Sequence, residues 1–78
     1  MKPNILDLRE ERCPMALLLA KRHTKLLALG EVMQIWVVET HSMKDIKRYL
    51  RKYGYTVACE AQDDYYCLQV TKGTLLNV

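Results

Sequence analysis

The sequence predicts an α/β (α+β) two-layer sandwich, in which two helices lie on one face of a four-stranded mixed sheet. Short apolar runs suited to strands alternate with longer stretches of helix-forming residues, in the order β-α-β-α-β-β. Each helical stretch carries one apolar stripe, which is most simply buried against one sheet face. The last two strand-like runs flank the turn-like segment Gln62-Asp63-Asp64, which predicts an antiparallel hairpin.

The composition indicates a single domain over residues 1–78, half of whose residues are hydrophobic. A chain this short buries only about 60–65% of the surface that its unfolded form exposes, so any chemistry is expected at the surface. The net charge of +3 is compatible with an RNA or acidic-protein partner without requiring one. We recognise no secretory leader and no apolar run that approaches the roughly 18 residues of a membrane span, so a cytoplasmic protein is expected.

The three cysteines are Cys13, Cys59 and Cys67. Their odd number and the lack of a CxxC motif argue against a disulfide framework and favour a reducing compartment. Together with His23 and His41 they lack the spacing of metal ligands, so neither a metal nor another cofactor is expected. His41 could approach Cys13 only if the first two strands pair in parallel, because both strand-to-helix junctions then open at the same sheet edge.

The first strand is expected at Ile5–Leu8 and the first helix from Pro14 to about Leu29. The apolar face of that helix is predicted to contain Met15, Leu18, Leu19, Leu26 and Leu29. Arg22 falls within this stripe and is placed at the margin of the core, because its long stem can cover apolar surface while its head reaches water. Gly30 is expected to end the helix as a left-handed C-cap residue.

The junction between this strand and helix contains Cys13. Pro14 suits the first helical position, since its φ is fixed and it has no N–H to leave unpaired. That arrangement puts Cys13 at or beside the N-cap, where free N–H groups and the helix dipole favour a thiolate. Arg12 adds positive charge, which Glu10 and Glu11 partly offset. The residues therefore predict a reactive thiol; the alternative is a small residue at a tight corner.

A second strand over Val32–Glu39 is apolar on both sides and is expected to be central. After a turn, Ser42 is predicted as an N-cap, with Asp45 completing a capping box. The second helix then runs over Met43–Tyr53 and ends at Gly54, its C-cap residue.

The two sides of the second helix differ sharply. Its core stripe is predicted to contain Met43, Ile46, Tyr49, Leu50 and Tyr53. Its opposite side carries Lys44, Lys47, Arg48, Arg51 and Lys52. Such a basic side is either simply solvated or a docking surface for an acidic protein or an RNA backbone. Tyr49 and Tyr53 are interpreted as packing residues rather than base-stacking ones, so direct nucleic-acid binding is not expected.

The hairpin strands are expected at Tyr55–Ala61 and Tyr65–Thr71. With the turn centred on Gln62 and Asp63, Cys59 lies opposite Tyr66 and is interpreted as a small core residue. Cys67 then lies on the other face of the sheet, too badly placed for a disulfide with Cys59.

That second sheet face has no helix to cover it. Trp36, Cys67 and Tyr65 are expected to point toward it. It is either a loosely covered surface or a contact site for a partner or for a second copy in a weak homodimer.

The chain resembles the TusA/SirA-like sulfur carrier family. The resemblance is carried by Ile5-Leu6-Asp7-Leu8, Arg12-Cys13-Pro14, Leu29-Gly30-Glu31-Val32 and His41-Ser42-Met43-Lys44-Asp45-Ile46. Members of that family are small cytoplasmic two-layer sandwiches whose signature, Cys-Pro-x-Pro, opens the first helix. The resemblance implies that Cys13 is the carrier cysteine and Pro14 the first proline; Ala16 stands in place of the second.

The function so implied is that of a sulfur carrier. Cys13 would accept sulfane sulfur as a persulfide from a sulfurtransferase or cysteine desulfurase and relay it to an acceptor protein, for instance toward tRNA thiolation. The expected catalytic residues are Cys13, Pro14 and Arg12, and the expected partner-binding residues are Lys44, Lys47, Arg48 and Arg51. The alternative is a non-catalytic interaction or regulatory module that uses the basic helix and the open sheet face. A redox role through a mixed disulfide is a weaker option, because no resolving thiol is evident.

Overall fold

A computed structural model describes residues 4–12 and 14–73. Its elements are β1 (Asn4–Asp7), α1 (Met15–Thr24), β2 (Val32–Val37), α2 (Thr40–Lys52), β3 (Thr56–Ala61) and β4 (Tyr66–Thr71). The strand order is β1-β2-β4-β3, with β1 and β2 parallel and the other two pairs antiparallel. The predicted mixed sheet with two helices is confirmed, and β2 is central as expected.

The core lies between the two helices and one face of the sheet. The sheet contributes Met33, Ile35, Val37, Leu68 and Val70, and the helices contribute Ala16, Ala20, Met43, Ile46 and Leu50. Every second residue of β2 and β4 belongs to this set, because successive strand residues point to opposite faces. The intervening residues lie on the sheet face that has no helix.

The first helix is shorter than predicted and packs through a different face. It ends at Thr24 with Lys25 as its C-cap, well before the predicted end at Leu29. Of the residues predicted to face the core, those largely exposed are Met15, Leu18, Leu26 and Leu29. The buried helical positions are Ala16, Ala20 and Thr24, spaced four apart. Small side chains on this face let α1 lie close to its neighbours in the core, α2 and β2. Of the predicted stripe, Leu19 is half-buried and does pack against the core.

Two further residues at this end of the chain differ from expectation. Arg22 is exposed rather than at the margin of the core. Gly30 has the expected left-handed backbone, with φ +84°, but it lies in the turn before β2 and does not cap α1. Its N–H donates to the Lys72 carbonyl oxygen at 3.1 Å, and the Lys72 N–H donates to the Glu31 carbonyl oxygen at 3.0 Å. The turn is thereby joined to the end of β4.

The second helix starts earlier than predicted. It begins at Thr40 with Glu39 as N-cap, so the prediction of Ser42 as N-cap is wrong. Ser42 is buried inside the first turn, where its hydroxyl donates to Glu39 Oε1 at 2.9 Å. At the other end Tyr53 is the C-cap, and Gly54 follows in the left-handed region at φ +88°, close to the prediction.

The hairpin register is shifted by two residues from the predicted one. Ala61 pairs with Tyr66 and Cys59 pairs with Leu68, because the loop spans residues 62–65 and closes with a 2.7 Å hydrogen bond from Gln62 N–H to the Tyr65 carbonyl. A shift of two keeps each side chain on its predicted face. Cys59 is nonetheless exposed rather than buried, since β3 is an edge strand whose far half the helices do not cover.

Candidate functional site

The segment before α1 leaves the sheet at the edge where α2 also begins. β1 and β2 are parallel, so their carboxyl ends lie together and each leads into a helix. Leu8 anchors the segment: its side chain is 2% exposed, and its N–H donates to the Trp36 carbonyl at 2.8 Å. A turn follows, in which the Glu11 N–H donates to the Leu8 carbonyl at 3.0 Å.

Cys13 follows in this loop and lies outside the described residues, so its predicted N-cap placement and thiol chemistry stay predictions. Its neighbours Arg12 and Pro14 are both exposed. Pro14 is the N-cap of α1 rather than the predicted first helical residue, with φ −91° and ψ −1°. The Ala16 N–H donates to the Arg12 carbonyl at 2.9 Å, which joins the loop to the first turn of the helix across Cys13.

The N-terminus of α1 has no anionic side chain to balance its dipole. The first turn contains no acidic residue, and no side chain of the N-cap bonds to it. The positive end of the dipole therefore remains available to an anion beside Pro14. His41 lies exposed in the first turn of α2; the parallel pairing that its approach to Cys13 requires is present, while the contact itself falls outside the described residues.

A cluster around Arg9 connects this loop to the open sheet face, and sequence reasoning missed it. Arg9 makes a bidentate interaction with Asp7: Nε donates to Oδ1 and Nη2 donates to Oδ2, each at 2.9 Å. The guanidinium carbon also lies 5.0 Å from the ring centroid of Trp36 and 5.3 Å from that of Tyr65, at cation–π distance. The only available signal was an Asp and an Arg two residues apart at a strand end.

This cluster sets the charge of Asp7. The side-chain hydrogen bonds from Arg9, helped by its backbone N–H, lower the pKa of the Asp7 carboxyl below its ordinary value. The same side-chain hydrogen bond raises the pKa of Arg9. The charged forms of both groups are thus favoured by the hydrogen bonds between them, which attach the loop to the sheet.

Two shallow recesses flank the loop. One, of about 430 Å³, is lined by Asp7, Arg9, Glu10, Glu11, Val38 and Asp64. The other, of about 390 Å³, is lined by Arg9, Glu11, Arg12, Val38 and Glu39. Both are open and polar, so they suit contact with another protein's surface better than enclosure of a small substrate.

The other two cysteines are free and lie on opposite faces of the sheet, as predicted. Cys67 is half-buried on the open face, and its thiol lies 3.6 Å from Gln34 Oε1. Burial, and then the charge of Glu60, raise the pKa of the Cys67 thiol above its ordinary value. Cys67 is therefore less nucleophilic than an ordinary thiol at neutral pH. The described residues contain no group of His, Cys, Asp and Glu side chains arranged to hold a metal ion.

The basic side of α2 points away from the core. Its cations, which line one open recess of about 560 Å³, are Lys44, Lys47, Arg48, Arg51 and Lys52. No acidic side chain lines that recess. The placement agrees with the sequence prediction, whereas partner binding by these residues stays a prediction.

The model of the family Sulfurtransferase TusA matches residues 4–72 of this chain. The chain belongs to the TusA sulfurtransferase family. The match includes β1, the cysteine loop, both helices and the hairpin, and it confirms the resemblance seen in the sequence. Family membership gives the chain a sulfur-carrier or sulfurtransferase role.

A crystal structure supports the TusA-family fold independently. The chain is similar to a SirA-like protein from Desulfitobacterium hafniense, with a TM-score of 0.78 over 90% of this chain and 97% of that one. The sequence identity is 19%, so this similarity concerns the fold. No curated protein matches the chain. Among the described residues of this TusA-family chain, no helix has the length and apolar character needed to span a membrane.

Proposed function

We propose that this protein carries sulfane sulfur as a persulfide on Cys13 and relays it to a partner protein. The observation that carries the proposal is the family match over residues 4–72, which includes the loop where Cys13-Pro14 precedes α1. Neither Cys59 nor Cys67 is as well suited as Cys13 to carry the sulfur. Cys67 has a raised thiol pKa, and Cys59 lies on an edge strand away from any helix start.

Two thiol exchanges describe the relay. In the first, the Cys13 thiolate attacks the outer sulfur of a donor's cysteine persulfide, the donor's S–S bond breaks, and the donor cysteine leaves as a thiolate. In the second, a thiolate of the acceptor attacks the outer sulfur of the Cys13 persulfide, and Cys13 leaves as a thiolate. One sulfane sulfur moves in each step and no external oxidant or reductant is consumed.

The residues around Cys13 would serve this chemistry by stabilising negative charge on sulfur. The unbalanced N-terminus of α1 favours a thiolate or persulfide anion next to it. Arg12 adds a cation on the adjacent residue. Pro14, as N-cap, contributes no N–H that would need another acceptor. This is little machinery, because the donor and acceptor enzymes supply the rest.

The basic side of α2 is the proposed docking surface for these partners. This patch contains Lys44, Lys47, Arg48 and Arg51, and the described residues that line it include no carboxylate. α2 also begins at the same sheet edge as the Cys13 loop. An acidic patch on a partner would be steered to this surface and oriented toward the loop.

Sulfur loading tests the carrier role directly. The protein is incubated with a cysteine desulfurase and free cysteine and is then digested with a protease in the absence of reductant. The mass of each cysteine-containing peptide is measured by mass spectrometry. We expect the mass of one added sulfur on the Cys13 peptide, retained in the Cys59→Ser and Cys67→Ser variants and lost in Cys13→Ser. Sulfur found only on Cys59, the exposed thiol, would contradict the proposal.

The patch on α2 has its own test. In the Lys44→Glu/Arg48→Glu variant we expect sulfur transfer from the desulfurase to slow by about tenfold at low salt, because electrostatic steering is reversed. The matched control is Arg22→Glu, which reverses an exposed cation on α1 outside this patch. Equal slowing in both variants would show that net charge, rather than this surface, is responsible.

A regulatory module without covalent chemistry is the second candidate, supported by the basic patch and by the open sheet face around Trp36 and Tyr65. The Cys13→Ser variant separates the two. Biological activity that survives this substitution supports the module, and activity that is lost supports the carrier.

A further inference from the structure

A cleft lies at the ends of the two helices farthest from the Cys13 loop. Its lining residues, which we call the Lys/Tyr cleft, are Lys21, Lys25, Tyr49, Tyr53, Tyr55 and Lys72. Its volume is about 440 Å³. The ten residues of α1 separate it from the Cys13 loop by about 15 Å, so it is a site distinct from the proposed carrier cysteine.

The cleft is positively charged and has no carboxylate in its lining. Lys21 Nζ lies 5.0 Å from the ring centroid of Tyr49, and Lys72 Nζ lies 5.9 Å from that of Tyr55. The ion pair between Arg9 and Asp7 lies on another part of the surface. The ammonium groups of Lys21 and Lys72 thus lie over aromatic rings, and the described residues that line the cleft include no carboxylate.

Helix dipoles explain only part of this arrangement. Lys21 and Lys25 lie at the end of α1, where cations offset the negative end of the dipole. Lys72 follows the strand β4, so a helix dipole does not account for its position. It comes from a different part of the chain, about fifty residues from Lys21, and the two meet only in the folded structure.

The three tyrosines of the cleft differ in burial: Tyr49 and Tyr55 are half-buried and pack against the core, whereas Tyr53 is exposed. Tyr53 is 59% exposed, so its interpretation as a core residue is wrong; its ring centroid lies 4.8 Å from that of Tyr49. Lys52 Nζ lies 5.8 Å from the Tyr53 ring centroid. Tyr55 is fixed by the bond that its hydroxyl donates to the Thr24 carbonyl at 3.0 Å. The cleft thus has Tyr55 held in place by a hydrogen bond and, at Tyr53, a ring that is more than half exposed and within reach of Lys52.

We propose that the Lys/Tyr cleft binds single-stranded nucleic acid, with phosphates on Lys21, Lys25 and Lys72 and a base stacked on Tyr53. Proteins that bind single strands combine cations placed along the nucleic-acid backbone with exposed aromatic rings on which the bases stack. The lysines alone would also suit an acidic protein, and the exposed Tyr53 ring beside them favours a ligand that carries bases as well as phosphates. This ligand lies beyond the sulfur-carrier proposal and needs none of the Cys13 chemistry.

Fluorescence anisotropy with a labelled oligouridylate of about 12 nucleotides tests the proposal. We expect binding to weaken by about twentyfold between 50 and 200 mM salt if roughly three phosphates, one on each lysine, are neutralised. Tyr53→Leu should weaken binding by at least about fivefold through lost stacking, and Tyr53→Phe should restore it, since a phenyl ring stacks equally well. Lys21→Gln/Lys72→Gln should also weaken binding.

The matched control is Arg22→Gln, which removes an exposed cation of α1 outside the cleft and should leave affinity within twofold. Circular dichroism melting shows whether each variant is folded. Three results would overturn the proposal: no saturable binding by folded wild-type protein, equal affinity in Tyr53→Leu and Tyr53→Phe, or displacement of the RNA by poly-glutamate at matched charge. Cys13→Ser should bind RNA normally, so failure here is separable from failure of the sulfur-loading test.

Discussion

Arg9 shows how a single side chain connects the cysteine loop to the sheet. It bonds Asp7 through two parallel hydrogen bonds and also lies against the rings of Trp36 and Tyr65. Asp7 precedes it by two residues, whereas the rings come from β2 and from the hairpin loop. Arg9 therefore holds the start of the loop in place from the open face, on the side opposite the helices.

This contact predicts how Asp7 titrates. Because Arg9 lowers the pKa of Asp7, the carboxylate favours folding above the ordinary aspartate pKa, and that contribution is lost as the pH falls through the lowered value. In Arg9→Gln we expect the Asp7 pKa to rise toward its ordinary value. Carbon NMR of the Asp7 carboxyl against pH measures the change.

The control variant for that titration is Arg22→Gln, which removes an exposed cation of α1 away from this cluster. The Asp7 midpoint should be the same in this variant and in wild type, because Arg22 does not bond to Asp7. An unchanged Asp7 midpoint in Arg9→Gln would mean that the two hydrogen bonds from Arg9 to Asp7 do not form in solution.

At the scale of elements, the two helices use different kinds of packing. α2 buries the large side chains Met43, Ile46 and Leu50, which form the stripe that its sequence predicts. α1 buries Ala16, Ala20 and Thr24, and Thr24 satisfies its hydroxyl by donating to the Ala20 carbonyl at 2.7 Å. The packing of α1 therefore depends on its close approach to α2 and β2, whereas that of α2 depends on the area of its apolar stripe.

This difference predicts the effect of enlarging one alanine of α1. Ala20 has no exposed surface, so Ala20→Leu forces α1 away from the core residues that it packs against and should destabilise the protein by about 1–3 kcal/mol. Leu18→Ala, at an exposed position of the same helix, should change stability by less than about 0.5 kcal/mol. Urea unfolding measures both; a greater loss from Leu18→Ala would mean that the predicted leucine face is the packed one.

At the scale of the molecule, the two ends of the helix layer expose different functional surfaces. One end presents the cysteine loop and the first turn of α2, and the other presents the Lys/Tyr cleft. The far end is held together by backbone contacts between distant turns: Gly30 with Lys72, and Gly54 with Gly73. These contacts join both helix exits to the end of β4.

A side chain at Gly73 should loosen that end. A Cβ at this position would collide with the backbone carbonyl of Gly54, and Gly54 cannot shift easily because its left-handed φ closes α2. We expect Gly73→Ala to destabilise the protein by about 1–3 kcal/mol, measured by thermal and urea unfolding. The control is Gln69→Ala on the exposed side of β4, which should be nearly neutral. Equal stability of Gly73→Ala and wild type would contradict the close approach.

The sequence by itself determined the order of the elements, the central position of β2 and the two sides of α2. Each of these depends on residues that are neighbours in the chain, so the periodicity of apolar residues is sufficient. It also predicted that Cys59 and Cys67 lie on opposite faces, because strand alternation survives a register shift of two.

Only the tertiary structure decided which face of α1 is buried, how β3 and β4 align, and which distant residues meet. The leucines of α1 form a plausible stripe, yet the residues that it buries against its neighbours in the core are Ala16, Ala20 and Thr24. The hairpin register follows from a four-residue loop, whose length local propensity does not specify. The Arg9 cluster and the Lys/Tyr cleft unite residues far apart in the chain, and no local pattern records such contacts.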